Sequence, residues 1–216
     1  MVESWINDLV GIRYLKFKEN AIYMGDMKMV MFSFMPILEQ FNLSKKLRED
    51  RYNHLQYLSF KVSSYNFSRN QFLKLGKGIN EVIEFSQEFF NKAGWGVVDF
   101  VKVDKDNEFF LINAKLNNFS DQIREIYGPQ DAPVDFVNAG LFAGTLRALV
   151  KNNIQGIEIG CRAQKDTNVC QFVVSTKEKI IKYVEKFAIN EKPRVEKLIE
   201  DLENLENETG VNYGKN

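Results

Sequence analysis

The amino-acid sequence predicts an α+β protein whose mostly antiparallel sheet, of four or more strands, is covered by helices. Two observations lead to this prediction. Residues 97–175 contain two hairpin patterns, in which runs rich in β-branched and aromatic residues flank a polar turn. Segments with apolar residues at helical spacing surround these hairpins, and no glycine-rich βαβ fingerprint for phosphate occurs. The sequence therefore favours hairpins packed against helices over a doubly wound parallel sheet.

The strands are predicted from alternation of residue types and from turn residues between them. A short hairpin is expected near the start of the chain, and two longer hairpins follow within residues 97–175. The first of these closes through the polar turn 104–107, and the second through the polar loop 162–168. The predicted strands are residues 12–17, 21–24, 97–103, 108–114, 154–161 and 169–175.

The helices are predicted from the spacing of apolar residues and from capping residues. Asp135 is well placed to cap one helix, and Pro193 breaks the charged C-terminal segment. Residues 117–134 are polar and contain two prolines, so we interpret them as irregular. The predicted helices are residues 29–47, 51–75, 79–93, 136–151 and 177–206.

Small residues recur at four-residue spacing in the helix that follows Asp135. Ala139, Gly140, Ala143 and Gly144 form a thin face that another backbone can approach closely. In a membrane this pattern favours helix dimerisation. The segment is short and contains Arg147, so we expect the thin face to pack on the sheet.

Composition and charge exclude several classes of protein. The chain has 216 residues, with 29 basic and 29 acidic side chains, so its net charge is zero. This size accommodates one domain, or at most two. A neutral chain does not coat nucleic acid, and we expect no nucleic-acid partner. The local basic excess at residues 42–77, interleaved with aromatic residues, is interpreted as an amphipathic helical segment with a solvated basic face.

The N-terminal residues and the apolar stretches of the sequence indicate where in the cell the protein is located. The first residues, Met1 to Trp5, are acidic and polar, unlike a secretory signal peptide. The longest apolar stretches are far shorter than the roughly 20 residues that span a bilayer. We expect a cytoplasmic protein without membrane insertion.

The two cysteines lie near the ends of the two strands of the last predicted hairpin. Cys161 and Cys170 would approach each other if these strands pair. Three outcomes are open: two small buried hydrophobes, a disulfide that a reducing cytoplasm disfavours, or two thiolate ligands of a metal with Glu158 as an oxygen donor. In a regular strand Glu158 and Cys161 face opposite sides, but Gly160 allows a bulge that would bring them together. The spacing alone leaves the three outcomes open.

The order of several motifs resembles a known family. Glu158, Cys161, Cys170 and Phe172 follow the small-residue helix, Gly94-Trp95-Gly96 precedes a strand, and Asn117-Asn118 follows the next strand. This arrangement is similar to the 4-vinyl-reductase-type domain of bacteriochlorophyll-biosynthesis proteins and of aromatic-effector sensors in bacterial transcription activators. The resemblance covers residues 76–176. It implies the fold shared with haem nitric-oxide sensor domains and with TRAPP vesicle-tethering subunits, preceded by a hairpin and helical part of the same domain at 1–75 and followed by a charged helical extension at 177–216.

The resemblance also implies a metal site and a hydrophobic pocket. In the metal-binding members, the residues equivalent to Glu158, Cys161 and Cys170 are zinc ligands, and iron is possible in place of zinc. A further cysteine of those members corresponds to Asp135 here, which makes Asp135 a candidate fourth ligand of a closed site. The resemblance further implies a pocket for a small aromatic or tetrapyrrole-like molecule, with Trp95, Phe67 and Phe72 as candidate lining residues.

These observations support one main hypothesis and two alternatives. The main hypothesis is a non-enzymatic, zinc-stabilised sensor-like domain that binds a small hydrophobic or aromatic molecule and forms a homodimer. One alternative is a tetrapyrrole vinyl reductase or its accessory protein, although no nicotinamide or flavin motif is visible to supply a hydride. The other is a protein-interaction module resembling the TRAPP subunits. His54 is the single histidine, and its spacing to serine or cysteine residues does not match a pattern for nucleophilic catalysis. We therefore expect a structural role for it.

Overall fold

A computed structural model describes residues 15–18, 21–24, 27–29, 35–47, 50–73, 76–92 and 95–211. The chain divides into two compact units, residues 1–36 and 37–216. We describe each unit by itself.

The first unit contains a three-stranded antiparallel sheet of order β1-β2-β3. Its strands are β1 (Leu15–Lys18), β2 (Ala21–Met24) and β3 (Met27–Met29). The predicted N-terminal hairpin is present, because Leu15 pairs with Met24 and Lys18 with Ala21. The predicted residues 12–14 lie outside the described residues.

The described part of the rest of the chain contains seven helices, one short 3₁₀ turn and four strands. The bounds agree with the sequence predictions to within a few residues at most ends. The helices are α1 (Met35–Leu47), α2 (Arg51–Gln71), α3 (Ile79–Lys92), α4 (Asn118–Tyr127), α5 (Phe136–Arg147), α6 (Lys177–Phe187) and α7 (Lys192–Thr209), the strands are β4 (Gly96–Asp104), β5 (Phe109–Asn117), β6 (Gln155–Gly160) and β7 (Cys170–Ser175), and the 3₁₀ turn is Ile189–Glu191.

The four strands of the second unit form one antiparallel sheet of order β4-β5-β7-β6. Each predicted hairpin contributes two neighbouring strands, and β5 and β7 join the hairpins at the centre. The α+β fold class predicted from the sequence is therefore confirmed.

Helices cover both faces of this sheet. Helix α5 lies on one face, where Phe142 contacts Phe172 and Phe100 at ring distances of 5.2 and 6.3 Å. Helix α6 contacts strands β7 and β6, and its Tyr183 packs on Phe109 of β5, whose side chain lies on the opposite face. Helix α2 packs on the outer side of α5. The core is thus layered as α2, α5, sheet and α6.

The thin face of α5 is divided between two neighbours. A methyl group added at Gly140 would lie 2.4 Å from the Tyr57 carbonyl oxygen of α2, and one at Gly144 would lie 2.0 Å from that of Lys61. On the other side of α5, a methyl group added at Gly156 of β6 would lie 2.4 Å from the Ala139 carbonyl oxygen. The prediction that the thin face packs on the sheet is therefore correct only for its alanine side. Its glycines lie at the contact between α2 and α5.

Two sequence predictions differ from the structure. Residues 117–134 were expected to be irregular, yet they contain helix α4, because the Asn117 side chain accepts a hydrogen bond from the Ser120 N–H and caps the helix. The first helix was expected to start at residue 29, but Met29 belongs to β3 and α1 starts at Met35. No helix among the described residues is both long enough and apolar enough to cross a membrane.

Candidate metal centre

A bulge in β6 brings Glu158 and Cys161 to the same side of the sheet. Glu158 pairs with Phe172, whereas Gly160 pairs with Gln171, so the register shifts by one residue between them. The extra residue, Ile159, cancels the alternation that would otherwise separate Glu158 from Cys161. The bulge expected from Gly160 is present.

Three buried side chains meet at this bulge. A carboxylate oxygen of Glu158 and the sulfurs of Cys161 and Cys170 all lie within 4.8 Å of one another. The two sulfurs are 4.0 Å apart and both are 3.4 Å from Ser120 Oγ, at the start of α4. Both cysteines are completely buried and are not bonded to each other. The sequence-predicted residues Glu158, Cys161 and Cys170 therefore do come together.

Backbone N–H groups are directed at both sulfurs. The Arg162 N–H donates to Cys170 Sγ at 3.2 Å, and the Ala163 N–H donates to Cys161 Sγ at 3.4 Å. Such donors stabilise a negatively charged sulfur more than a neutral thiol. The loop that follows β6 therefore directs one backbone N–H at each sulfur.

The ionisation of the three groups is tightly linked. Burial raises the pKa of the Glu158 carboxyl, and the neighbouring Cys161 and Asp135 raise it further. Burial alone would raise the pKa of the Cys161 thiol, but its hydrogen bonds with Cys170, Ser120 and backbone groups lower it to about 7. Burial and the hydrogen bond to Cys161 raise the pKa of Cys170. A cation at this position would remove the penalty on all three negative charges.

One oxygen of Glu158 has no hydrogen-bond partner among the described residues. Glu158 Oε2 accepts the backbone N–H of Asp135 at 2.7 Å, whereas the buried Oε1 accepts none. A buried carboxylate oxygen without a partner is costly unless something else binds it. Two sulfurs and one free carboxylate oxygen are a donor set that zinc accepts, so the residues present fit the metal implied by the resemblance.

Asp135 occupies a different position from the three clustered side chains. Its carboxylate caps α5 by accepting from the Asn138 N–H at 2.9 Å. The side-chain amides of Asn117 and Asn138 also donate to it, at 2.5 and 2.6 Å. Burial raises the pKa of Asp135 to about 6 in spite of these bonds. Within the cluster of three, Glu158 accepts the backbone N–H of Asp135. A ligand role for the Asp135 carboxylate stays a prediction.

The candidate pocket residues lie in one connected cluster of aromatic rings. Phe67 and Phe72 contact each other at 5.6 Å, and Phe72 contacts Phe85 at 5.0 Å. Trp95 contacts Phe60 and Phe90, at 6.4 and 6.0 Å. Further ring contacts along α3 connect the two groups. We call this set the aromatic cluster; its members are Phe60, Phe67, Phe72, Phe85, Phe89, Phe90, Trp95 and Phe142.

An open groove borders the aromatic cluster. It has a volume of 730 Å³ and lies between α3 and β4, with Phe85 and Val98 in its wall. Its other lining residues are mostly acidic or amide side chains. They include Glu81, Glu84, Glu88 and Asp99. The groove therefore offers a route from solvent to the rings of the cluster.

A buried ionic network between α2, β6 and α7 was not foreseen from the sequence. Lys61 is completely buried and donates to Glu206 at 2.6 Å and to Gln155 at 2.9 Å. The Tyr57 hydroxyl donates to the same Gln155 oxygen and accepts the Gly156 N–H. The partners of Lys61 are 94 and 145 residues away, so no local pattern in the sequence reveals them.

Comparison with known proteins identifies the fold. No model of a known protein family matches the sequence, and no curated protein sequence does either. The structure is similar to the crystal structure of the phenol-responsive sensory domain of the transcription activator PoxR with phenol, with a TM-score of 0.64 and 17% identity over 83% of this chain and 92% of that domain. At this identity the similarity shows the fold alone. The predicted fold relationship with sensory domains of transcription activators is confirmed.

Two other solved structures show weaker similarity. One is a vinyl-4-reductase family protein from Methanocaldococcus jannaschii, with a TM-score of 0.40 and 17% identity over 68% of this chain and 96% of that one. The other is a trafficking protein particle complex subunit 3 from Naegleria fowleri, covalently bound to palmitic acid, with a TM-score of 0.41 and 14% identity over 66% of this chain and 93% of that one.

Proposed function

We propose that this protein is a metal-stabilised, sensor-like domain that binds a small hydrophobic or aromatic molecule and has no catalytic activity of its own. The observation that carries the proposal is the buried group of Glu158, Cys161 and Cys170, whose donor atoms lie within 4.8 Å of one another. The shared fold with a phenol-responsive sensory domain supports the sensor-like role.

Glu158, Cys161 and Cys170 would hold the metal. Zinc suits two thiolates and a carboxylate, and iron is an alternative for the same donors. The bound ion would supply a positive charge that lets the three buried acids ionise together. These residues connect β6, β7 and the loop between them, while Ser120 and the Asp135 N–H connect the group to α4 and α5. The metal would therefore stabilise the attachment of the second hairpin to these helices.

The aromatic cluster would receive the ligand. Its rings come from α2, α3, α5 and the start of β4, so a bound molecule would touch several helices and the sheet at once. Aromatic side chains bind an aromatic ligand by ring stacking and by burial of apolar area. The groove between α3 and β4 reaches the cluster at Phe85.

Elemental analysis of the purified protein tests the metal. We expect about one zinc per chain in the wild type and none in the double variant Cys161→Ser and Cys170→Ser, because the serine hydroxyl is a poor zinc ligand. The melting temperature should fall together with the metal content. Ile157→Val, a conservative change at a buried neighbour in β6, is the control that should keep the metal. A full metal complement in the double variant would contradict the ligand assignment.

Thermal unfolding with uncharged aromatic compounds tests the ligand. A molecule bound to the native state alone raises the melting temperature in a concentration-dependent way. We expect phenol, cresol, naphthol or indole to do so, and Phe85→Ala to reduce the shift more than a control change at the exposed Val101. If no compound of a broad panel shifts the transition, the ligand-binding role is wrong.

The homodimer also remains a proposal. Light scattering on the purified protein would report twice the chain mass of 25.1 kDa for a dimer. A concentration-independent mass of one chain would overturn it.

A further inference from the structure

Ser120 lies beside two of the three proposed metal ligands. Structural zinc sites are almost always four-coordinate and tetrahedral. The cluster supplies a carboxylate oxygen of Glu158 and the sulfurs of Cys161 and Cys170, which leaves one position of such a site unassigned. The Ser120 side chain is completely buried, and its Oγ lies 3.4 Å from each of the two sulfurs. The Ser120 hydroxyl is therefore a candidate for the fourth position.

The distances among these atoms match those between the ligands of one tetrahedral ion. With zinc–sulfur bonds of about 2.3 Å and a zinc–oxygen bond of about 2.0 Å, tetrahedral angles put two sulfur ligands about 3.8 Å apart and a sulfur and an oxygen about 3.5 Å apart. In the structure, the two sulfurs are 4.0 Å apart, and Ser120 Oγ lies 3.4 Å from each. The hydroxyl therefore lies at the distance from both sulfurs that a fourth ligand requires.

The start of helix α4 holds Ser120 in this position. The Asn117 side chain accepts the Ser120 N–H at 3.2 Å and caps the helix, so Ser120 lies in its first turn. The next residue, Asp121, accepts a hydrogen bond at 2.8 Å from Arg162, in the loop whose N–H groups donate to the sulfurs. These bonds connect the first turn of α4 to the cysteine loop. A hydroxyl fixed in this way is preorganised to bind an ion.

Hydrogen bonding and charge favour Ser120 over Asp135 as the fourth ligand. Both carboxylate oxygens of Asp135 already accept hydrogen bonds, Oδ1 from the Asn138 N–H and Oδ2 from the side-chain amides of Asn117 and Asn138. Two thiolates and the Glu158 carboxylate leave one net negative charge around a divalent ion, and a second carboxylate would leave two in a buried site. A neutral hydroxyl adds no charge.

We infer that the Ser120 hydroxyl completes the proposed metal site as its fourth, neutral ligand. This inference rests on the proposed function, because it concerns the same ion. Glu158, Cys161 and Cys170 hold the ion through their charges. The hydroxyl is a weaker donor than a thiolate, keeps its proton, and fills the position that water or a second carboxylate would otherwise take. The ion then joins α4 directly to the hairpin of β6 and β7.

Cobalt substitution of the full chain counts the sulfur ligands and tests this position. Co²⁺ binds the same donors as zinc, and its thiolate charge-transfer absorption grows with the number of bound sulfurs. We expect Ser120→Cys to place a third sulfur on the ion, which raises this absorption to about one and a half times that of the wild type. Zinc affinity, measured by competition with a chromogenic chelator, should rise by about tenfold or more, because a thiolate replaces a hydroxyl.

Ser120→Ala supplies the opposite change. It should weaken zinc binding by about tenfold or more, since the fourth position then has no protein ligand. Ser86→Cys and Ser86→Ala are the matched controls, because Ser86 is a buried serine on α3, a helix without a proposed ligand, and its hydroxyl donates to the Val82 carbonyl oxygen. Both controls should keep the cobalt absorption and the zinc affinity of the wild type.

The outcomes separate this inference from the proposed function. Either two sulfurs on cobalt in Ser120→Cys or wild-type zinc affinity in Ser120→Ala would overturn the assignment of Ser120 and leave the metal site in place. A wild-type protein that binds neither zinc nor cobalt would overturn the metal site itself, and the assignment of Ser120 with it.

Discussion

At the scale of single residues, the surroundings of the two sulfurs bear on the outcomes that the sequence left open. A disulfide needs a sulfur–sulfur distance of about 2.05 Å, and the sulfurs of Cys161 and Cys170 are 4.0 Å apart. Two buried hydrophobes need no hydrogen-bond donors, yet the N–H groups of Arg162 and Ala163 donate to these sulfurs. Both sulfurs therefore have hydrogen-bond donors that suit a thiolate, and metal binding by the pair stays a prediction.

Asp135→Asn distinguishes a ligand role of this residue from a capping role. The hydrogen bonds from Asn117 and Asn138 to its carboxylate favour the cap, so we expect the variant to keep its metal. It should lose about 1–3 kcal/mol of unfolding free energy, because an amide group there meets another amide donor. Elemental analysis and chemical denaturation measure both effects, with the exposed Asp106→Asn as the control. Loss of the metal with an unchanged fold would show that Asp135 is a ligand.

The lowered pKa of Lys61 predicts that the unfolding free energy depends on pH. Burial lowers the pKa of Lys61 to about 8, although Glu206 acts in the opposite direction. Between pH 8 and about 10.5 the unfolded chain still holds this proton while the native chain has lost it. The contribution of Lys61 to the unfolding free energy therefore rises with pH across this window, by on the order of 3 kcal/mol.

Denaturant unfolding between pH 8 and pH 10 measures this contribution. The unfolding free energy of the wild type minus that of Lys61→Met should increase with pH. The same difference for the exposed Lys182→Met should stay flat. A flat difference for Lys61→Met as well would mean that the native state keeps its proton on Lys61.

At the scale of the elements, helix α5 is held between the sheet and α2. Phe142 on one side contacts Phe172 of the sheet, and Gly140 and Gly144 on the other side contact the α2 backbone. Close approach of two helix backbones requires residues without bulky side chains at the contact. Because Asp135 is the capping residue of α5, the packing of α5 also determines where Asp135 lies.

Gly144→Ala should weaken the contact between α2 and α5. A methyl group there would lie 2.0 Å from the Lys61 carbonyl oxygen, so the helices must separate. Overpacking of this kind costs about 1–3 kcal/mol, which exceeds the gain of about 1 kcal/mol that alanine brings to a helix. Denaturant unfolding measures the loss, and Thr145→Ala on the half-buried side of the same helix is the control. A more stable Gly144→Ala protein would contradict the described packing.

The sequence predicts the elements better than it predicts their contacts. The bulge near Gly160 was foreseen, because glycine and the need to bring Glu158 to Cys161 both indicate it. Helix α4 was missed, although Asn117 three residues before Ser120, with Phe119 and Ile123 on one face, is a readable helix start. The bond between Lys61 and Glu206 spans 145 residues, and nothing in a local pattern encodes such a distance.

At the scale of the whole molecule, the proposed metal centre lies where several elements converge. Its residues belong to the second hairpin, Ser120 belongs to α4, and the Asp135 N–H belongs to the start of α5. Removal of the ion would leave ionisable groups buried at this junction. The effect should therefore extend to the stability of the entire second unit.

Metal removal should lower the melting temperature of the wild-type protein. We expect a chelator of zinc to destabilise the chain by several kcal/mol, since binding free energy is then lost from the native state. The Cys161→Ser and Cys170→Ser double variant, which we expect to lack the metal, is the control and should not respond. An identical decrease in both proteins would indicate that the chelator acts elsewhere.

The complete burial of both cysteine side chains has a practical consequence. An alkylating reagent reaches these sulfurs only when the hairpin detaches from its surroundings for a moment. The rate of alkylation therefore reports how often this part of the protein opens, rather than how reactive each thiol is. When such labelling is followed by mass spectrometry, the two cysteines would report local opening of this part of the protein.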